Sequence, residues 1–181
     1  VTATLLIGIM ALPAAMLLAC LSDPLRRLMP SLLALAPLPG LAAALLAHDA
    51  PALVLDPERL QLTLALDAPS ALLLGVAALL WLTAGAYASI YLRADPHRER
   101  FAVCWLLTLT GSLGVFAAGD LVTFYLAFTL ASLAAYGLVV QDGTPRARQA
   151  GVIYLALAVI GEIFPELWDV RTELKAPARN V

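Results

Sequence analysis

The chain reads as an all-α membrane protein of about six transmembrane helices with a small external β-hairpin, and three observations predict that class. Residues 70–92, 101–118 and 121–140 are apolar runs without one Asp, Glu, Lys, Arg or His. Each is close to the ~20 residues a helix needs to cross a ~30 Å hydrocarbon layer. Of the 181 residues, 62% are hydrophobic and only 13% charged, with a mean hydropathy of +0.89. A soluble domain carries about 25% charged residues, so a large soluble core is set aside. Finally, the arginines cluster in alternate connections between the apolar runs. The net charge of −2 leaves no strongly basic surface for nucleic acid.

Taken in order, helix one covers 2–21 and stops at Ser22, Asp23 and Pro24, where a charge and a proline end the apolar run. Leu17, Leu18, Ala19 and Cys20 loosely resemble a lipoprotein cleavage box. The preceding stretch has no positive segment, however, so it is read as a retained helix. Helix two covers 31–47 with Pro37, Pro39 and Gly40 inside. Prolines leave carbonyls that neighbours must satisfy in lipid, which predicts a kinked helix packed against protein. The three charge-free runs are helices three to five. A sixth begins after Pro145 and carries 152–160.

The one long connection, 48–67, places leucine at positions 60, 62, 64 and 66. That is the period of a half-buried strand. With Leu53, Val54 and Leu55 ahead of an Asp56, Pro57 and Glu58 turn, it predicts a β-hairpin; an irregular loop with accidental alternation is the alternative. His48 reads as an interfacial loop residue, because no second ligand-type side chain lies at metal-binding spacing. Cys20 and Cys104 fall inside apolar helices and read as two small buried hydrophobes, with no metal site expected.

Arg26 and Arg27 join helices one and two, Arg93, Arg98 and Arg100 join three and four, and Arg146 and Arg148 join five and six. The intervening connections hold only Arg59. Because basic residues in short loops stay on the cytoplasmic side, these three loops are expected inside. The N-terminus is then outside a multi-pass protein of the cell's inner (plasma) membrane.

The order of features resembles a family. An outer hairpin ends in Asp67 just before helix three, which closes in Tyr87, Ser89 and Tyr91. A basic loop from Arg93 to Arg100 follows, then a helix with Gly111 and Gly114, then Asp120 and Leu121 opening an aromatic helix. This pattern resembles the antiporter-like subunits of respiratory complex I, Mrp-type cation/proton antiporters and membrane-bound hydrogenases. The segment 150–162, running from Ala150 to Gly161 and Glu162, is most similar to the hydrogenase-type branch. The resemblance covers 1–162 and corresponds to the first six helices of a longer subunit.

Such a resemblance implies proton movement through buried ionisable groups and water, driven by redox chemistry elsewhere in a complex or by a counter-ion gradient. It implies as partners the lipid bilayer, other membrane-arm subunits, and protons with Na+ as the open alternative. No cofactor is implied for this chain. The family places a glutamate after an aromatic residue in the middle of helix five, paired with a lysine on helix seven. Here the matching residues are Phe128 and Thr129, so the glutamate is absent. Threonine holds water by hydrogen bonding but does not load and release a proton. By itself the chain is therefore not expected to be a complete pump.

Six residues are candidates for a proton path. Tyr125, Thr129, Ser132 and Tyr136 recur at intervals of four, three and four and share one stripe of helix five. Such a stripe is either the wall of a hydrated half-channel or a helix–helix contact joined by hydroxyls. Asp120 opens helix five, where capping alone explains a carboxylate. Glu162 follows a long apolar run, and an intramembrane carboxylate is a functional candidate. Its depth depends on whether helix six passes Phe164 and Pro165.

From 163 to 181 the composition turns polar, with Pro165, Glu166, Asp169, Arg171, Glu173, Lys175, Pro177 and Arg179. A truncated or frame-shifted terminus is the preferred explanation, a short paralogue with a solvated tail the alternative. Three functions compete: a transporter component, a non-conducting structural subunit or remnant, and an integral-membrane enzyme. No loop offers a nucleophile–base pair, metal cluster or phosphate loop for the last.

Overall fold

The computed structural model describes residues 2–47, 50–55, 62–95, 97–141 and 143–175, with side chains described for 3–47, 52–54, 62–95, 97–141 and 143–161. Helix α1 (Thr2–Ala19) is followed by α2 (Asp23–Leu32), a tight turn at Leu33–Leu35 and α3 (Leu38–Leu46). Strands β1 (Ala50–Leu55) and β2 (Leu62–Leu66) come next, then α4 (Ala68–Tyr91), α5 (Arg98–Ala117), α6 (Leu121–Val140) and α7 (Pro145–Lys175).

The second apolar segment starts earlier than the expected 31–47. Asp23 and Pro24, read as the stop of helix one, also begin α2, because proline within the first helical turn gives up an N–H that has no helical partner anyway. Arg26 and Arg27 therefore lie on a helix and not in a loop. The expected kink is present: the helix gives way at Leu33–Leu35 and resumes after Pro37. Gly85 of α4 accommodates that break, since a Cβ there would stand 3.0 Å from both Ala34 N and Leu33 C. The kinked segment is thus packed against protein, with Gly40 beyond the break resting on Leu113 and Ala78.

Helix α4 begins where Asp67 accepts a hydrogen bond from Ser70 N at 2.9 Å, an N-cap that satisfies one of the first free backbone donors. β1 and β2 form the expected antiparallel pair, with Leu53 opposite Leu64 and Leu55 opposite Leu62. The alternating leucines face as their period requires, Leu64 and Leu66 being buried. The turn at Asp56, Pro57 and Glu58, together with His48 and Arg59, lies outside the described residues.

The deepest packing joins α5 to α6. At Gly111 a Cβ would meet Ala131 N at 2.5 Å and Ala127 O at 2.6 Å, and at Gly114 it would meet the Ala127 Cβ at 2.9 Å. Glycines on one helix and alanines on the other let two backbones approach closely, the usual contact between helices in lipid. Gly137 on α6 lies against Cys104 Sγ in the same seam. Leu106, Leu109 and Leu113 of α5 are fully buried, which makes α5 the central helix.

Among the described residues, four helical segments are long and apolar enough to cross a membrane: Asp23–Leu46, Ala68–Ala94, Arg98–Ala117 and Leu121–Val140. The apolar part of α1, Ala3–Ala19, is shorter. The count thus reaches four where six were expected. α7 carries its polar half without a break, running to Lys175 through residues such as Glu, Leu and Lys that favour helix. α7 runs across the expected change of composition at 162.

Large apolar side chains cover the outside: Leu72 and Leu80 on α4, Leu133 on α6 and Leu157 on α7 are all more than half exposed. The connections sort by end. At one end Arg26 Nε donates to Glu99 Oε2 at 2.8 Å, and Arg100 and Arg148 line one cavity, so the three arginine-bearing connections lie together. At the other, Gly119 N donates to Thr63 O at 2.7 Å, joining the hairpin to the α5–α6 connection.

Candidate functional site

Midway along the bundle, α5, α6 and α7 leave a cavity of about 410 Å³ between them. Thr108 and Ser112 of α5, Ser132 of α6 and Tyr154 of α7 supply its hydroxyls. Thr108 and Ser112 are four residues apart and so share one face of α5. The space opens because Ala131 and Ala135 stand on the α6 wall, with Phe128 and Leu157 completing the apolar lining. Thr108 and Ser132 are each 7% exposed. Thr108 Oγ1 donates to Cys104 O at 2.8 Å, which commits its proton to the backbone and leaves its oxygen free to accept.

The space is an open groove with a mostly apolar lining, along which four hydroxyl-bearing residues are spaced. A water needs two to four polar partners, so one entering the groove would sit at these hydroxyls. The described lining contains no carboxylate, imidazole or amine.

The candidate residues are divided among several surroundings. Ser132 alone of the four stripe residues lines this cavity. Thr129 is half-buried and outside its lining. Tyr125 is half-buried with its ring edge-on to Phe124 at 5.8 Å. Tyr136 serves the α6–α7 contact: a Cβ on Gly151 would stand 2.9 Å from its ring. It also lines a separate cavity at the arginine-bearing end. Of the stripe, Ser132 lines the groove between α5, α6 and α7 and Tyr136 packs at the α6–α7 contact. Thr108, Ser112 and Tyr154 were missed by the sequence reading, although the spacing of the first two was available in it. Glu162 lies on the α7 backbone, and its side chain is outside the described residues.

Asp120 is a capping and fastening group. Its Oδ1 accepts from Thr123 N at 2.8 Å, and its Oδ2 accepts from Thr123 Oγ1 at 2.6 Å and from Thr63 N at 2.7 Å. The carboxylate therefore starts α6 and ties β2 to it. The Thr123 hydroxyl, then the Thr123 and Thr63 backbone donors, hold its pKa down to about 2 from 3.8. A pKa lowered by folding stabilises the fold above the unfolded value and loses that contribution as pH falls toward the folded one. The thermal midpoint of the detergent-solubilised chain should thus drop between about pH 4 and pH 2, and Asp120→Asn should reduce that drop, leaving the part due to Asp67, whose carboxylate is also held below its ordinary pKa by Ser70. A wild-type midpoint level across this window would contradict the assignment.

Cys20 and Cys104 line one cavity with Arg26 and Glu99 at the arginine-bearing end. Among the described residues, no three His, Cys, Asp or Glu side chains assemble as a metal site. No protein-family model, curated protein or solved structure matches the chain. The described residues define a structural class: a helical bundle with four segments of membrane-spanning length and a groove between α5, α6 and α7 that carries hydroxyls.

Proposed function

We propose that the chain is a component of the proton-translocating membrane arm of a redox-driven assembly, of NADH-quinone oxidoreductase or hydrogenase type, or of a cation/proton antiporter. The observation that carries this reading is the hydroxyl-lined cavity between α5, α6 and α7. In it, the cavity holds a water segment of the path, and ionisable groups elsewhere in the assembly load and release the proton. The ordered motifs support it. Asp67 caps α4 behind the hairpin, Gly111 and Gly114 seat α5 against α6, and Asp120 opens α6 against the hairpin. Six spans follow if α1 and the apolar half of α7 also cross. The arginine-bearing end then faces the cytoplasm with the N-terminus outside.

A second reading, a non-conducting structural subunit, is favoured by the lining itself. It holds no carboxylate, imidazole or amine among the described residues, and Thr129 stands where the resembling family has glutamate.

Filling the cavity separates the two. Ser132→Leu places an apolar side chain into the water space, so dye-reported proton uptake by energised vesicles of the source cell should fall at least about tenfold, a ~1.4 kcal/mol rise in barrier. The amount of assembled chain should be unchanged. Uptake at the wild-type rate with normal assembly would reject the conducting reading in favour of the structural one.

A further inference from the structure

At the arginine-bearing end, a cavity of about 440 Å³ opens between α5, α6 and the start of α7. Two guanidinium groups approach it from different elements, Arg100 from the first turn of α5 and Arg148 from the first turn of α7. Neither has an ion-pair partner among the described residues. Arg26 at the same end is, by contrast, held by Asp23 and Glu99 at 2.8 Å each. Among the described residues, Arg100 and Arg148 thus bring two guanidinium groups without a carboxylate partner to a concave space.

The same cavity has a second chemistry. Tyr136 and Gln141 add polar groups, whereas Gly137 and Cys104 form an apolar wall that leads between α5 and α6. Gln141 Oε1 is buried without a hydrogen-bond partner. Its terminal torsion is soft, so a small rotation turns an acceptor or an NH2 donor toward the opening. Unmet buried polar atoms call for an explanation, and a ligand carrying hydroxyls provides one.

We infer that this cavity is a binding site for an anionic phospholipid, with the phosphate held between Arg100 and Arg148, a headgroup hydroxyl on Gln141 and the glycerol and acyl start along Gly137 and Cys104. Guanidinium groups bind phosphate oxygens through paired N–H donors. The inference rests on the reading that the bundle spans a bilayer, because the cavity then lies at the level of the headgroups. The mixed lining favours an amphiphile over free phosphate, which has no use for the apolar wall.

The test uses the full chain in neutral detergent, with phosphatidylglycerol, phosphatidylcholine or inorganic phosphate as the probe. Lipid retention is followed by native mass spectrometry and stability by thermal unfolding. Phosphatidylglycerol should be retained and should raise the midpoint saturably, with phosphatidylcholine and inorganic phosphate having little effect. Arg100→Gln and Arg148→Gln should each weaken phosphatidylglycerol binding about fivefold. Arg93→Gln, at the same end and outside the lining, should leave binding unchanged. Equal retention by the Arg100→Gln, Arg148→Gln double variant would overturn the site. An equal effect of inorganic phosphate would overturn the lipid assignment. Release of the chain from membranes by alkaline carbonate would overturn the bilayer reading and the site with it, whereas a chain that stays membrane-bound without lipid preference overturns the site alone.

Discussion

Gly111→Val is expected to part α5 from α6 and to cost at least about 3 kcal/mol, at the upper end of what overpacking a close-packed contact costs. Even the single Cβ of alanine would stand 2.5 Å from Ala131 N and 2.8 Å from Ala131 Cα. These are backbone atoms, which no rotamer change can move aside. The helices must separate, and because α5 is the central helix its buried leucines lose contacts too. Gly161→Ala is the matched control: among the described residues, no atom beyond its chain neighbours and its own helix backbone lies within 4 Å of its added Cβ. Replacing a helical glycine there should be neutral or stabilise by ~0.5–1 kcal/mol. Unfolding of both variants in detergent measures the difference directly. A Gly111→Val midpoint equal to that of Gly161→Ala would mean that the seam is not as described.

Leu80→Asp should be nearly as severe, for a different reason. Leu80 lies at the middle of α4 and is 63% exposed. On a water-soluble bundle, an exposed leucine changed to aspartate would be harmless or would improve solubility. Facing hydrocarbon, a central aspartate costs about 2.5–3.5 kcal/mol for insertion, enough to reduce the integrated form by roughly a hundredfold. Membrane-integrated protein is measured after carbonate extraction. Undiminished integration of Leu80→Asp would place that face against protein or water.

What could be read along the chain was what depends on local order. α6 was bounded at 121 and 140 because a capping aspartate precedes it and polar residues follow it. The hairpin was legible because leucines at alternate positions bury one face of β2. The start of α2 was not, since Asp23 and Pro24 serve equally to end one helix and to begin the next. The cavity was hidden for another reason: its hydroxyls come from three helices, and the polar stripe on one of them contributes only Ser132. A periodicity on a single helix shows which residues share a face, not which neighbour that face meets. Asp120 was legible as a cap, but its bond to Thr63 N joins positions 57 residues apart.

The central claim is that a bilayer surrounds the bundle and water enters the space between α5, α6 and α7. It is tested most directly by single cysteines on a Cys20→Ala, Cys104→Ala background in intact membrane vesicles, treated with a small charged thiosulfonate that reacts only in water. Ser132→Cys and Ser112→Cys should react measurably, because both positions line the hydroxyl cavity. Leu133→Cys, one residue along α6 and 56% exposed, should be inert because it faces lipid. A reactive Leu133→Cys with unreactive Ser132→Cys and Ser112→Cys would contradict the account, placing water outside the bundle and none within it.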